Sequence, residues 1–302
     1  MQADLEKLQR QKFLLFSLIA VGIVLLVATP FGEEASTLVT DLASVLAAGI
    51  ASVIALIISI RYGIIGNHGK AWIIFAASMV SWFLGELVWT INELIYHINP
   101  FPSSSDFFYL LGYPFMFAFS IFYIKPLRGA ISKKMVFSAM VISVALIIPT
   151  TIMAYHINID KSQFEMALGV SYPVLDAILL CPALIGVSLF FRGEVNFLWT
   201  LLCIGIISTV VGDTGFLFAT ITDTYYTGHP SDIPLIWAYI FYSFGVIRLS
   251  FRQTFFKSSN RSAEPRTDLR KFSGSEDDQH NDQDNDELWH TDSKHKPAPP
   301  LG

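Results

Sequence analysis

The chain has 302 residues, of which 53% are hydrophobic, 14% aromatic and only 15% charged, with a formal net charge of −5. That balance is too apolar for an ordinary soluble domain of this length and too acidic for a nucleic-acid partner, so neither class is expected. The long apolar runs lack the alternation of a lipid-facing strand, which excludes a membrane β-barrel.

A bilayer-spanning helix needs about 20 apolar residues. Eight such segments follow one another at about 13–29, 38–61, 71–96, 107–124, 134–155, 166–191, 197–220 and 233–251. The first begins after Lys7, Arg10 and Lys12, and its apolar run exceeds the roughly 7–15 residues of a signal peptide, so it is read as a retained helix. Threaded alternately, the spans put Arg61, Lys70, Lys125, Arg128, Lys133, Lys134, Arg192, Arg252 and Lys257 on one side. The positive-inside rule makes that side cytoplasmic. A plasma-membrane protein with both termini inside is the expectation, its opposite connections holding Glu33, Glu34, Asp106, Asp160, Glu165, Asp223 and Asp232.

A phrase is written twice. Gly85-Glu86 leads to Pro102-Ser-Ser-Ser-Asp106, and Gly212-Asp213 leads to Pro230-Ser-Asp232. Spans three and four therefore match spans seven and eight. The fold expected is an all-α integral membrane domain over 13–251, built from two parallel four-helix repeats of about 13–125 and 134–251, after a cytoplasmic N-terminus of residues 1–12. The first two spans of each half show no comparable likeness.

Acids in hydrocarbon are costly and mark where function is sought. On span three Trp82, Glu86, Trp89, Glu93 and His97 share one helical stripe. Asp213 lies at the depth of Glu86, and Asp176 lies one turn below Tyr172-Pro173 on span six. No Lys or Arg is found at that depth, so protonated carboxyls bonded to hydroxyl, indole or backbone groups are expected. Three roles stay open for Glu86, Asp176 and Asp213: polar contacts between helices, the lining of an outward cavity, or a path for protons or cations. For the cavity, the ligand-binding candidates are these three acids with Trp82, Trp89, Glu93 and Asp106, and with Tyr109, Tyr113, Tyr172, Asp232 and Trp237. Prolines at 114, 173, 182 and 234 add kinks that can border such a pocket.

His97, His229 and Glu93 are candidates for an outer metal site, although no HExxH-type signature accompanies them. Gly-rich phosphate loops, a GxSxG elbow and an intramembrane Schiff-base lysine are all absent, so no cofactor is expected and no catalytic residue is assigned. Cys181 and Cys203 fall inside predicted helices and read as small buried residues.

Pro102-Ser-Ser-Ser-Asp-Phe-Phe-Tyr-Leu-Leu-Gly-Tyr-Pro114, Tyr172-Pro-Val-Leu-Asp176, and Gly212-Asp213 followed by Asp223, Tyr225, Tyr226, Asp232 and Trp237 form a recognisable set. Over about residues 80–250 the chain resembles the multi-pass sensory module that precedes diguanylate cyclase (GGDEF) and phosphodiesterase (EAL) domains in bacterial signalling proteins. The resemblance implies a sensory or anchoring input with a small-molecule or lipid ligand, and no chemistry of its own. No output domain follows the last span here, so a separate cytoplasmic signalling protein is the expected partner. Beyond 251 a basic juxtamembrane segment gives way to a stretch, Glu276 to Asp292, with eight acids, which composition marks as disordered. A stand-alone sensor is thus the leading expectation. A proton- or ion-coupled transporter is the second, and an intramembrane metal-dependent enzyme the third.

Overall fold

In the computed structural model, residues 2–64, 66–98, 101–157, 159–160, 162–191 and 197–263 are described, side chains at the two ends excepted. The chain divides into Met1–Lys257 and Ser258–Gly302, and the tail from 264 onward, with Arg192 in its loop, lies outside the described residues. Among the described residues the fold has eight α-helices: α1 Gln2–Ala28, α2 Glu33–Tyr62, α3 Gly66–Thr90, α4 Ser104–Ile124, α5 Lys133–Ile157, α6 Gln163–Phe191, α7 Phe197–Ile221 and α8 Asp232–Ala263. The all-α expectation holds, with no strand among the described residues. Among the described residues seven helices are long and apolar enough to cross a membrane, and the apolar part of α8, Asp232–Ile247, is a shorter segment of the same kind.

Helix starts follow local chemistry. Ser103 caps α4 while Asp106 accepts from the Ser103 backbone N–H, a reciprocal pair that satisfies two orphan donors. Ser162 and Glu165 repeat the arrangement at α6. On the lipid-facing sides large apolar residues are exposed along α1, α2 and α5, which water would not tolerate and hydrocarbon does.

The packing respects the repeat. A Cβ on Gly85 would lie 2.7 Å from the Tyr109 ring, and one on Gly212 would lie 2.5 Å from Leu235. Each glycine thus lets α3 or α7 meet the following helix closely, and Tyr109 and Leu235 both stand three residues after the helix-starting Asp106 or Asp232. Shortly past the helical run that α3 begins and past α7 the chain turns at a left-handed residue, His97 at φ 53° and Asp223 at φ 52°. The distance from Glu86 to His97 is eleven residues and from Asp213 to Asp223 ten. A π-helical turn at Ile91–Ile95 absorbs the extra residue, as a one-residue insertion in a helix does.

The end of the bundle where α3 begins and α4 finishes is filled by aromatic rings. Trp72, Phe75 and Phe119 are fully buried and in mutual contact, and Tyr123 stacks on Trp199 at 4.7 Å. Lys12, Arg61, Lys70, Lys125, Arg128, Lys133 and Lys134 all belong to this end. The acids lie at the other, where α2, α4, α6 and α8 begin.

Candidate functional site

A cavity of about 170 Å³ occupies the acidic end of the bundle. It is comparable to an engineered cavity of about 150 Å³ that holds benzene, so it has room for a small organic molecule or several waters. Six carboxyls line it, and they divide evenly between the halves: Asp41, Glu86 and Asp106 from the first, Asp176, Asp213 and Asp232 from the second. Lys, Arg and His are missing from the lining among the described residues. Nine aromatic side chains contribute to the walls, among them Trp82, Trp89, Phe101 and Phe216.

The carboxyls are held by tyrosines, and the two central bonds exchange halves. Tyr239 Oη on α8 donates to Glu86 Oε1 on α3 at 2.8 Å. Tyr113 Oη on α4 lies 2.9 Å from Asp213 Oδ2 on α7. Tyr113 and Tyr239 each stand seven residues after the aspartate in the first turn of their helix. Trp89 and Phe216, each three residues past the buried acid, meet at 6.4 Å. These contacts are what a two-fold relation between parallel halves requires.

Tyr113 Oη is also 2.8 Å from Asp176 Oδ1. A phenol has one proton to give and one oxygen to accept with. Both contacts are strong only when one carboxyl is protonated and donates to the phenol oxygen while Tyr113 donates to the other. The geometry suits a proton shared among the three groups, which would hold Asp176 and Asp213 together without a cation.

At the rim Asp106 Oδ1 accepts from Tyr172 Oη at 2.5 Å, and its Oδ2 accepts from the Ser103 N–H at 2.7 Å. Asp232 mirrors it, with Oδ2 accepting from Gly228 N–H at 2.8 Å and Oδ1 facing Tyr225 Oη at 3.5 Å. Tyr225 lies in the connection before α8, where burial first and the Asp232 carboxylate second hold its phenol well above the usual range. Phe216 and Tyr225 pack edge to face at 4.4 Å, and Phe101 bridges Tyr172 and Phe216.

Ten of the twelve residues proposed from the sequence line this cavity. Glu93 sits beside it, its Oε2 accepting from Trp89 Nε1 at 2.9 Å and from Thr227 Oγ1 at 2.8 Å. Trp237 points elsewhere: its Nε1 donates to the Leu18 carbonyl at 3.0 Å and ties α8 to α1. The metal candidates do not converge. His97 is exposed at the end of α3, His229 Nδ1 pairs with Ser231 Oγ, and no three His, Cys, Asp or Glu side chains gather to hold an ion among the described residues.

Asp41 on α2 is the lining acid that the sequence reading passed over. It is 3% exposed, and its Oδ2 and the neighbouring Thr40 Oγ1 have no hydrogen-bond partner among the described residues. Its signal was available, an aspartate inside an apolar span. Its place in the repeat was not, because α2 and α6 share no motif. Structure supplies it: Thr37, four residues before Asp41, donates to the Thr227 carbonyl, and Tyr172, four residues before Asp176, donates to Asp106. Each therefore reaches the start of the other half's last helix. No family model, curated protein or solved structure matches this chain.

Proposed function

We propose that the chain is a membrane-embedded ligand-binding module that senses a small molecule in this cavity and reports its presence to a cytoplasmic partner. The observation that supports the reading is the cavity itself: six carboxyls, three from each half, with aromatic walls around a space large enough for a ligand. Placed by the positive-inside rule, the acidic end faces outward and the basic connections face the cytoplasm. Below the cavity the aromatic packing of Trp72, Phe75, Phe119 and Trp199 closes the bundle, which suits a receptor better than an open path. A ligand that separates Tyr113 from Asp213, or Tyr239 from Glu86, changes the contact between halves and so moves the inner ends of α4 and α8. The resemblance to sensory modules of bacterial signalling proteins supports the same role.

The test is an environment-sensitive fluorophore at Gly129→Cys, in the turn after α4, where an added Cβ meets nothing within 4 Å. In lipid nanodiscs, the low-molecular-weight fraction of the host's lysate is expected to change its emission, and Asp213→Asn to abolish the change. A silent label under every fraction overturns the sensory role. The duplicated halves around one site also favour a second reading, a carrier. Solute uptake into proteoliposomes that is lost in Glu86→Gln decides for it.

A further inference from the structure

The chemical class of the ligand can be read from the hydrogen bonds that the cavity leaves unmade, given the reading of the cavity as a ligand site. Five of the six carboxyls are served by the protein: Glu86 by Tyr239, Asp106 by Tyr172 and the Ser103 N–H, Asp176 and Asp213 by Tyr113, and Asp232 by the Gly228 N–H. The sixth, Asp41, keeps Oδ2 without a partner among the described residues although it is 3% exposed and lines the cavity. An unsatisfied buried acceptor costs about 1–3 kcal/mol, and more when charged, so a donor is wanted at this point. Thr40 Oγ1 beside it is unpartnered as well.

The surroundings define that donor. Asp41 lies within electrostatic reach of Glu93, Glu86 and Asp232, and no basic side chain lines the cavity to offset them. Tyr225, packed edge to face on Phe216, belongs to the same neighbourhood and supplies a π face. A cation is attracted both by carboxylates and by aromatic faces, and an ammonium group brings N–H donors that a metal ion lacks. A hard metal ion wants six or more oxygens around it, whereas most of the oxygens here are already engaged by tyrosines and backbone. A neutral polyol also brings O–H donors, but it carries no charge to set against the six carboxyls of the lining.

We infer that the cavity binds a small organic ammonium ion, with Asp41 as the carboxylate that accepts its N–H and the Phe216 and Tyr225 pair as the aromatic wall beside it. The volume of about 170 Å³ limits the ligand to roughly the size of one substituted ring or a short alkyl diamine.

The experiment uses the full chain in lipid nanodiscs. Methylammonium, phenethylammonium and cadaverine are each titrated against their neutral alcohols, methanol, 2-phenylethanol and 1,5-pentanediol, with calorimetry and the emission of Trp82 and Trp89 as readouts. At least one ammonium is expected to bind saturably, its alcohol not, and Asp41→Asn to weaken it by at least about tenfold, 1.4 kcal/mol. Asp41→Asn replaces a carboxylate whose Oδ2 has no partner among the described residues and is expected to melt no lower than the parent. Should that variant fail to fold, carbodiimide labelling of Asp41 in the parent is expected to be blocked by the same ammonium. Equal binding of the alcohols, no binding of any ammonium, or saturable binding of Ca²⁺ or Mg²⁺ that depends on Asp41 each overturns the assignment. The fluorophore at position 129 separates the two readings. An ammonium that binds without moving it leaves the ligand class standing and removes the sensory role, and a neutral fraction that moves it does the reverse.

Discussion

Tyr113→Phe isolates the proton-sharing contact between halves. The substitution keeps the ring, which packs against Trp82 and Tyr172 at 6.0 and 6.3 Å, and removes one hydroxyl that lies 2.8 Å from Asp176 Oδ1 and 2.9 Å from Asp213 Oδ2. Polar contacts between membrane helices average about 0.6 kcal/mol and reach about 1.7. Two contacts on one hydroxyl therefore give a loss of about 1.2 to 3.4 kcal/mol. Tyr239→Phe removes the single 2.8 Å bond to Glu86 Oε1 and is expected to cost about 0.6 to 1.7 kcal/mol on the same basis. Equilibrium unfolding in mixed micelles measures both. Asp213→Asn tests the sharing itself, because an Asn amide can donate to the Tyr113 oxygen as a protonated acid does. It is expected to cost less than Tyr113→Phe and to remove a carboxylic-acid carbonyl stretch from the infrared difference spectrum. A Tyr113→Phe loss no larger than that of Tyr239→Phe, or an infrared spectrum without a protonated acid, refutes the shared-proton arrangement.

Further expectations follow from the packing and the charges. Gly112→Ala puts a Cβ 2.2 Å from Trp82 Nε1, whose buried ring lines the cavity, so a loss of about 1–3 kcal/mol is expected, while Gly129→Ala, with nothing within 4 Å, stays neutral in the same unfolding assay. Trp237→Phe breaks the bond to the Leu18 carbonyl and is expected to raise protease sensitivity in α1 while leaving ligand binding unchanged. Tyr225 has a phenol pushed up by burial and by Asp232, so the folded protein holds that proton more tightly than the unfolded chain. Its contribution is complete below the ordinary phenol value near 10 and is lost as pH rises above it. Unfolding midpoints followed into the alkaline range are expected to fall less steeply in Tyr225→Phe.

Glu86, Asp176 and Asp213 were legible as a group because charge in an apolar run is conspicuous in any sequence. Tyr109, Tyr113 and Tyr172 were legible because they sit within motifs next to those acids. Trp237 shows the limit of that reasoning. It follows Asp232 as Tyr109 and Tyr113 follow Asp106, yet on α8 its register turns it to α1, and a helical position five residues past the cap faces away from one three or seven residues past it. Asp41 shows the opposite limit. It is as conspicuous an acid in an apolar span as the others, but no repeated motif accompanies it, and its importance lies in the donors that nearby helices do not offer among the described residues.

The sequence by itself determined the class of fold and the existence of a repeat, since apolar length sets the number of spans and a phrase repeated in two places survives any packing. Helix starts at Ser103 and Ser162 were equally local, being written in the capping residues. Tertiary structure alone decided which acids are served and by whom. The bond from Tyr113 to Asp213 joins residues 100 positions apart, and that from Tyr239 to Glu86 joins residues 153 apart. Such pairings depend on the rotation of each helix and on the single residue absorbed by the π turn at Ile91–Ile95, and an error of one position there turns a side chain by about 100° and away from its partner.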